Sequence, residues 1–124
     1  MNIEEFRDYC LSLKGAEEKF PFGENVLVFY VGGKMFCLTD ISSFDVINVK
    51  CDPDKAVTLR EKYPDVIPGY HMNKKHWNSI VMSGTIPNKL IKEWIQDSYN
   101  LVIQGLPKKL RESLTSTPTK KKRA

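Results

Sequence analysis

The segment PGYHMNKKHW, residues 68–77, concentrates side chains that can do chemistry. It holds two histidines, two adjacent lysines and an asparagine, with a tyrosine and a tryptophan among them. Three roles fit such a set: a nucleic-acid contact, a metal or catalytic site, or a polar loop that leads into a strand. The rest of the chain indicates which of these roles the available residues can fill.

The sequence offers few suitable ligands for a metal site. His71 and His76 lie five residues apart, whereas zinc sites combine one close pair of ligands with a second close pair. The cysteines, Cys10, Cys37 and Cys51, are isolated from one another in the sequence. We therefore expect no metal ligands, and we interpret the odd number of thiols as reduced cysteines of a cytoplasmic protein.

Enzymatic chemistry is not indicated either. Cys37 and Cys51 have apolar neighbours in predicted strands, where a thiol is usually structural. The VGGK sequence at residues 31–34 lacks both the spacing and the following helix of a phosphate-binding loop. We therefore predict a protein that is not an enzyme and carries no cofactor.

The same segment offers more side chains that are suited to nucleic-acid binding. Lys74 and Lys75 carry charges that attract phosphates, and Asn73 can hydrogen-bond a phosphate or the edge of adenine. Aromatic side chains can stack on exposed bases, and the segment offers Tyr70, His71, His76 and Trp77. The alternative is that the large aromatic residues belong to the core and the lysines keep the loop soluble.

The net charge of +4 comes from the last residues of the chain. The tail contains Lys120, Lys121, Lys122 and Arg123 and no acid, so residues 1–114 carry no net charge. Within this neutral part, residues 70–92 hold four lysines and no acid. Such an asymmetry predicts a local basic face that attracts an anionic partner.

The first half of the chain predicts a helix followed by strands. Asn2 and Glu5 form a capping-box pattern, and Gly15 is a suitable stop for the helix. The runs VLVFYV and KMFCLTD, joined by Gly-Gly, predict a tight hairpin. A further strand is predicted in FDVINVKC.

The second half predicts two more helices around another strand. Asp52 and Pro53 start a helix that Pro64 ends. WNSIVM predicts a strand, and a long helix is expected between Pro87 and Gly105, with one or two helical turns after it. Strands in sequence with flanking helices indicate an α+β fold with an antiparallel sheet covered on one face. We expect one domain at residues 1–114 and a disordered basic tail at 115–124.

Several blocks together resemble the MmcQ/YjbR family of small bacterial proteins. The blocks are FPFGENVLVFYVGGKMFCL, NVKCDPDKAVTLREKYPDVIPGYHMNKKHW and IPNKLIKEWIQDSYNLVIQGLPKKLR, and the resemblance as a whole covers about residues 3–112. The resemblance implies a CyaY-like, frataxin-like fold with an antiparallel sheet and helices packed on one face. It also implies a DNA-binding protein with a double-wing motif, in which β-hairpins serve as wings.

The family's signature positions fall on residues across this chain. They are Pro21, Gly23, Lys34, Lys50, Cys51, Pro53, Gly69, Tyr70, His71, Met72, Asn73, Lys74, His76, Trp77, Asp97, Ser98, Tyr99, Leu106 and Pro107. We expect the functional surface on Lys34, Lys50, His71, Asn73, Lys74, Lys75, His76 and Trp77.

Our principal hypothesis is a monomeric, cytoplasmic DNA-binding protein of low sequence specificity that contacts no membrane. The alternative is an adaptor that binds a protein partner and no nucleic acid, supported by the neutral body and the acidic N-terminal region. A frataxin-like metal role through Glu4, Glu5 and Asp8 is a third hypothesis.

Overall fold

The computed structural model describes residues 1–69 and 72–115. The helices are α1 (Ile3–Ser12), α2 (Pro53–Lys62), α3 (Asn88–Gln104) and α4 (Lys108–Thr115). The strands are β1 (Glu17–Lys19), β2 (Val26–Val31), β3 (Lys34–Asp40), β4 (Val46–Lys50), β5 (Val66–Pro68) and β6 (Trp77–Val81). They form one sheet in the order β1-β2-β3-β4-β6-β5, with every neighbouring pair antiparallel.

The N-terminal ends of the first two helices follow from their capping residues, as the sequence predicts, whereas α1 ends at Ser12, before the predicted stop at Gly15. The Asn2 side chain accepts from the Glu5 N–H, and the Glu5 carboxylate accepts in return from the Asn2 N–H. Asp52 accepts from the N–H groups of Asp54 and Lys55, and Pro53 occupies the first helical position. Each cap satisfies backbone donors that a helix leaves open at its N-terminus.

The predicted hairpin is confirmed, and two edge strands were missed. Gly32 and Gly33, at φ 58° and 79°, form the turn between β2 and β3. Positive φ at both turn residues matches the right-handed twist of the paired strands. The missed strands β1 and β5 have three residues each. Segments this short show no alternation of apolar residues, so pairing with a longer neighbour defines them.

The helices cover one face of the sheet. Phe6 of α1 contacts Phe29 of β2 edge to face at 5.5 Å between ring centroids, and Tyr99 of α3 contacts Phe36 of β3 in the same way at 5.4 Å. The core beneath the helices gathers residues from β2, β3, β4, β5 and β6. The predicted fold class, α+β with an antiparallel sheet and helices on one face, is confirmed.

A β-bulge interrupts β3 where α3 crosses it. The register of β2 and β3 shifts between Phe29 and Tyr30, so Phe36 is skipped. The Ser98 hydroxyl of α3 accepts from the Lys50 N–H at 2.8 Å and donates to the Phe36 carbonyl. A helix side chain thereby joins the backbones of β3 and β4, and no buried group is left unpaired at this point.

The two residues beside Ser98 hold α3 to other parts of the fold. Asp97 accepts from the Lys55 ammonium of α2 at 2.8 Å. The Tyr99 hydroxyl donates to the carbonyl of Lys14, just after α1. Three successive side chains thus fix α3 against α2, the sheet and the end of α1.

The C-terminal helix includes Thr115, the first residue of the predicted tail. Gly105 ends α3, and Leu106 is buried. The remaining residues of the predicted tail, 116–124, lie outside the described ranges, so the expectation for them stays a prediction.

We expect Ser98→Ala to lower the free energy of unfolding by about 2–4 kcal/mol, because it leaves a buried N–H and a buried C=O without partners. Urea unfolding followed by circular dichroism measures this change. The matched control is Ser12→Ala, which removes an exposed hydroxyl bonded to the Tyr9 carbonyl and should cost less than about 0.5 kcal/mol. Equal effects of the two substitutions would show that the bulge contact is unimportant for stability.

Candidate nucleic-acid interface

One end of the sheet brings together Lys34, Lys50, Asn73, Lys74 and Lys75; we call these five residues the basic end. β3 begins at Lys34, directly after the hairpin turn, and β4 runs antiparallel to β3 and ends at Lys50. Lys50 pairs with Trp77 at the start of β6, so the loop before β6 lies at the same end. Residues from three separate segments of the chain therefore meet at this end.

The loop 69–76 joins β5 and β6 into a second hairpin at this end. The Gly69 N–H donates to the Trp77 carbonyl at 2.9 Å and closes the loop. The Asn73 carbonyl accepts from the N–H groups of His76 and Trp77, and its side-chain oxygen accepts from the Lys75 N–H at 3.0 Å. Asn73 therefore shapes the turn that presents the two lysines.

Neighbouring elements hold the loop in place. The His76 carbonyl accepts from the Cys51 N–H at 2.8 Å, which extends the contact between β4 and β6. The Arg60 guanidinium of α2 donates to the Lys74 carbonyl at 3.1 Å. Sequence reasoning missed Arg60, since its role depends on α2 lying beside a loop that is far along the chain.

The lysines of the basic end differ in how freely they can meet a ligand. Lys34 and Lys75 are exposed, whereas Lys50 is half-buried. The Lys74 ammonium is 3.4 Å from the Gly69 carbonyl, so part of its donor capacity is used within the loop. Across residues 1–69 and 72–115, the ion pairs are Arg7–Glu18 and Lys55–Asp97, so no carboxylate neutralises the basic end by direct pairing.

The burial of Trp77 differs from the prediction that its side chain lies on the functional surface. Its side chain is only 8% exposed and packs with Val28 and Leu38 on the face of the sheet opposite the main core, with Met72 against it. A buried indole cannot stack on a base, so Trp77 shapes this end of the sheet. His76 is half-buried, and His71 lies outside the described residues.

The acid-free segment does not form one basic face. Lys74 and Lys75 precede β6, whereas Lys89 and Lys92 follow it and lie in the first half of α3, at the other end of the sheet. The Lys92 ammonium is 5.5 Å from the centroid of the Tyr9 ring of α1. The predicted charge asymmetry is therefore limited to the basic end and does not include the lysines of α3.

No group of three or more His, Cys, Asp or Glu side chains in the described ranges is arranged to hold a metal ion. One residue of the frataxin-like hypothesis, Glu5, has its carboxylate in the capping box of α1. The geometry therefore offers no support for the metal hypothesis within this part of the chain.

The three cysteines are free and buried. Burial, together with the adjacent Cys10 thiol, raises the pKa of Cys37 well above its usual range. Burial also raises the pKa of Cys51. Both thiols are therefore protonated near neutral pH, a state that makes a poor nucleophile.

Two adjoining cavities lie between α2, α3 and the sheet. The inner one has a volume of about 10 Å³ and is lined mainly by apolar residues, and the outer cleft has a volume of about 230 Å³. Lys55 and Asp97 stand where the two meet and are paired with each other. Lys50 also lines the inner cavity, and Asp52, whose carboxylate caps α2, lines the outer cleft.

By its fold, the chain is a small α+β protein with two hairpins at one end of an antiparallel sheet, where the basic end lies. A sequence model of the YjbR family matches residues 11–101. The chain belongs to the YjbR family, as its motifs predict.

Relatives and a solved structure support this assignment. The chain is 43% identical over 101 residues to the uncharacterized protein YbdF of Escherichia coli O157:H7, covering 81% of this chain and 83% of the relative. It is 34% identical over 98 residues to the uncharacterized protein YyaQ of Bacillus subtilis, covering 79% of each. The crystal structure of protein DR2400 of Deinococcus radiodurans superposes with a TM-score of 0.86 at 38% identity, covering 91% of this chain and 87% of that one.

In residues 1–69 and 72–115, no helix is long and apolar enough to cross a bilayer.

We expect the Gly69→Ala substitution to distort the loop 69–76. An added Cβ would lie 2.8 Å from Trp77 Cβ and 2.9 Å from the Trp77 carbonyl oxygen, so the backbone has to shift, at a cost of about 1–3 kcal/mol. Thermal unfolding measures the loss of stability. Gly105→Ala is the matched control, because its Cβ would meet nothing closer than 3.6 Å. A loss no larger than that of the control would show that the loop tolerates a side chain at position 69.

We expect the thiols of the native protein to react slowly with a disulfide reagent such as dithiobis-nitrobenzoate near pH 8. Reaction requires an accessible thiolate; all three thiols are buried, and the raised pKa values of Cys37 and Cys51 lower their thiolate fraction at a given pH. All three cysteines should react once the protein is unfolded in urea, and the rate for the native protein should increase as the pH rises. One thiol reacting as fast in the native as in the unfolded protein would contradict this assignment.

Proposed function

We propose that this protein is a non-enzymatic DNA-binding protein whose basic end contacts the phosphate backbone. The observation that carries the proposal is the meeting of Lys34, Lys50 and Lys75, from three separate segments, at one end of one sheet, with no ion-paired carboxylate. Lysines arranged in this way supply the electrostatic attraction that dominates protein–DNA affinity.

The two hairpins give this charge a shape that suits a duplex. The turn at Gly32–Gly33 and the loop 69–76 project from the same end of the sheet, and β4 lies between their strands. Lys50, at the end of β4, is placed between the two hairpins. In this proposal the hairpins are the wings, and the lysines contact phosphates on either side of a groove.

Low sequence specificity follows from the chemistry of the set. Contacts to phosphates position a protein on DNA without reading its sequence. Asn73 is the exposed side chain of the basic end that can also bond a base edge. Its side-chain oxygen already accepts a hydrogen bond from the Lys75 N–H within the turn. The proposal requires a protein that acts in the cytoplasm, where bacterial DNA lies, and it does not require more than one copy of the chain.

An adaptor that binds a protein partner is a second candidate. Phe20 and Phe22, between β1 and β2, are 46% and 64% exposed. Large exposed aromatic side chains are a common feature of protein-binding surfaces. These two residues lie at the end of the sheet away from the basic end, so the two candidate surfaces can be altered separately.

The test is the binding of a fluorescein-labelled, random-sequence DNA duplex, measured by anisotropy over a range of salt concentrations. Three proteins are compared: the full chain, a truncation after Thr115, and that truncation with Lys74→Ala and Lys75→Ala. Removing the four tail cations should reduce the slope of log affinity against log salt by up to about 3.6, and the double substitution by up to about 1.8 more. Circular dichroism verifies that each variant is folded.

The outcomes separate the two candidates. Binding that persists after truncation and weakens with the double substitution supports a DNA surface at the basic end. Binding that disappears with the tail alone overturns the proposal, because the folded body then contributes no contact. In that case a Phe20→Ser and Phe22→Ser variant tests the adaptor by loss of a captured protein partner.

A further inference from the structure

We infer that α4 is a second DNA-contact element, which extends the basic end through Lys108 and Lys109. This inference rests on the proposed function and adds two residues that the predicted functional surface does not include. Its basis is the packing of α4 on the turn between β2 and β3, directly beside Lys34.

Glycines let α4 approach the rest of the fold closely. A Cβ built on Gly32 would lie 2.6 Å from Leu106 Cδ1 and 3.2 Å from Leu110 Cδ2, so the helix and the turn are in van der Waals contact. A Cβ on Gly15 would lie 2.5 Å from Leu114 Cδ2. Contacts near both ends of α4 therefore fix its position relative to the hairpin.

The leucines determine which residues of α4 face solvent. Leu110 and Leu114 of α4, with Leu106 just before the helix, recur every four residues and lie on the side that approaches Gly32 and Gly15, where Leu110 keeps 38% of its surface exposed. Lys108 and Lys109 lie off this side and are exposed. Their ammonium groups are therefore available to a ligand that approaches the turn.

The charges of these two lysines have no evident structural use. The first turn of α4 contains no acid, and cations at a helix N-terminus oppose the helix dipole. Neither lysine forms an ion pair within the described ranges. Arg111 differs, since its guanidinium donates to the carbonyls of Gln104 and Leu106 and so holds the end of α3.

The extended surface has the dimensions of a duplex contact. Lys34 follows Gly33 directly, so it lies between the α4 lysines on one side and Lys50 and Lys75 on the other. Three neighbouring strands span about 10 Å, and a packed helix adds about 10 Å. A duplex carries one charge per about 1.7 Å of its axis, counting both strands, so about twelve phosphates lie along this length and those on the near side face the protein. A long polyanion matches this spread, whereas a single nucleotide covers only one lysine or two.

The experiment uses the full chain throughout and the labelled duplex described above. The test variant carries Lys108→Ala and Lys109→Ala. The matched control carries Lys89→Ala and Lys92→Ala, which removes the same charge from the opposite end of the sheet. A third variant carries Lys74→Ala and Lys75→Ala. Circular dichroism and the unfolding midpoint confirm that the exposed substitutions leave the fold intact.

We expect the α4 variant to bind more weakly and to reduce the salt slope by up to about 1.8, with no comparable change in the control. Charge reversal with Lys108→Glu and Lys109→Glu should weaken binding further.

Two results would overturn the inference in different ways. An α4 variant equal to the control, beside a weakened Lys74/Lys75 variant, would refute the role of α4 and leave the proposed function standing. All variants binding equally would refute both.

Discussion

The insertion of Ser98 between β3 and β4 is the contact on which the candidate site depends. A single hydroxyl accepts from the Lys50 N–H and donates to the Phe36 carbonyl. A side chain of α3 therefore provides hydrogen-bond partners for the backbone at the bulge in β3. Because Lys50 also pairs with Trp77, this contact sets the end of β4 relative to the loop before β6. The positions of the lysines at the basic end thus follow from a buried hydrogen bond beneath them.

The family's signature residues divide by what they touch. Asp97, Ser98 and Tyr99 bond to α2, to the sheet and to the end of α1, and Gly69 permits the close approach of Trp77. Gly69, Ser98 and Tyr99 are buried and build this end of the sheet from within, whereas the Asp97 side chain is 38% exposed and pairs with Lys55. Lys34 and Asn73 are exposed, so the predicted signature positions include both structural and solvent-facing residues.

The neutral body makes charge placement more informative than net charge. Long-range attraction from a neutral domain is weak, so a local excess of lysines has to act at short range. The packing of α4 beside the hairpin turn matters for this reason, since it brings charge from the end of the chain to a surface formed by its middle.

The sequence by itself determined the elements that have strong local signals. Capping residues set the N-terminal ends of α1 and α2, and Gly32–Gly33 set the hairpin, because each acts through bonds or dihedral angles within a few residues. The long helix after Pro87 followed from its apolar periodicity. The family motifs supplied the overall arrangement of an antiparallel sheet with helices on one face.

Tertiary structure decided which of the predicted site residues meet and which reach solvent. Strand pairing brought Lys34 and Lys50 beside the loop 69–76, and packing buried Trp77 while separating Lys89 from Lys75. The order of residues along the chain could not show this, because burial and proximity depend on partners that are distant in sequence. For the same reason β1, β5 and the role of Arg60 became visible only when their neighbours were in place.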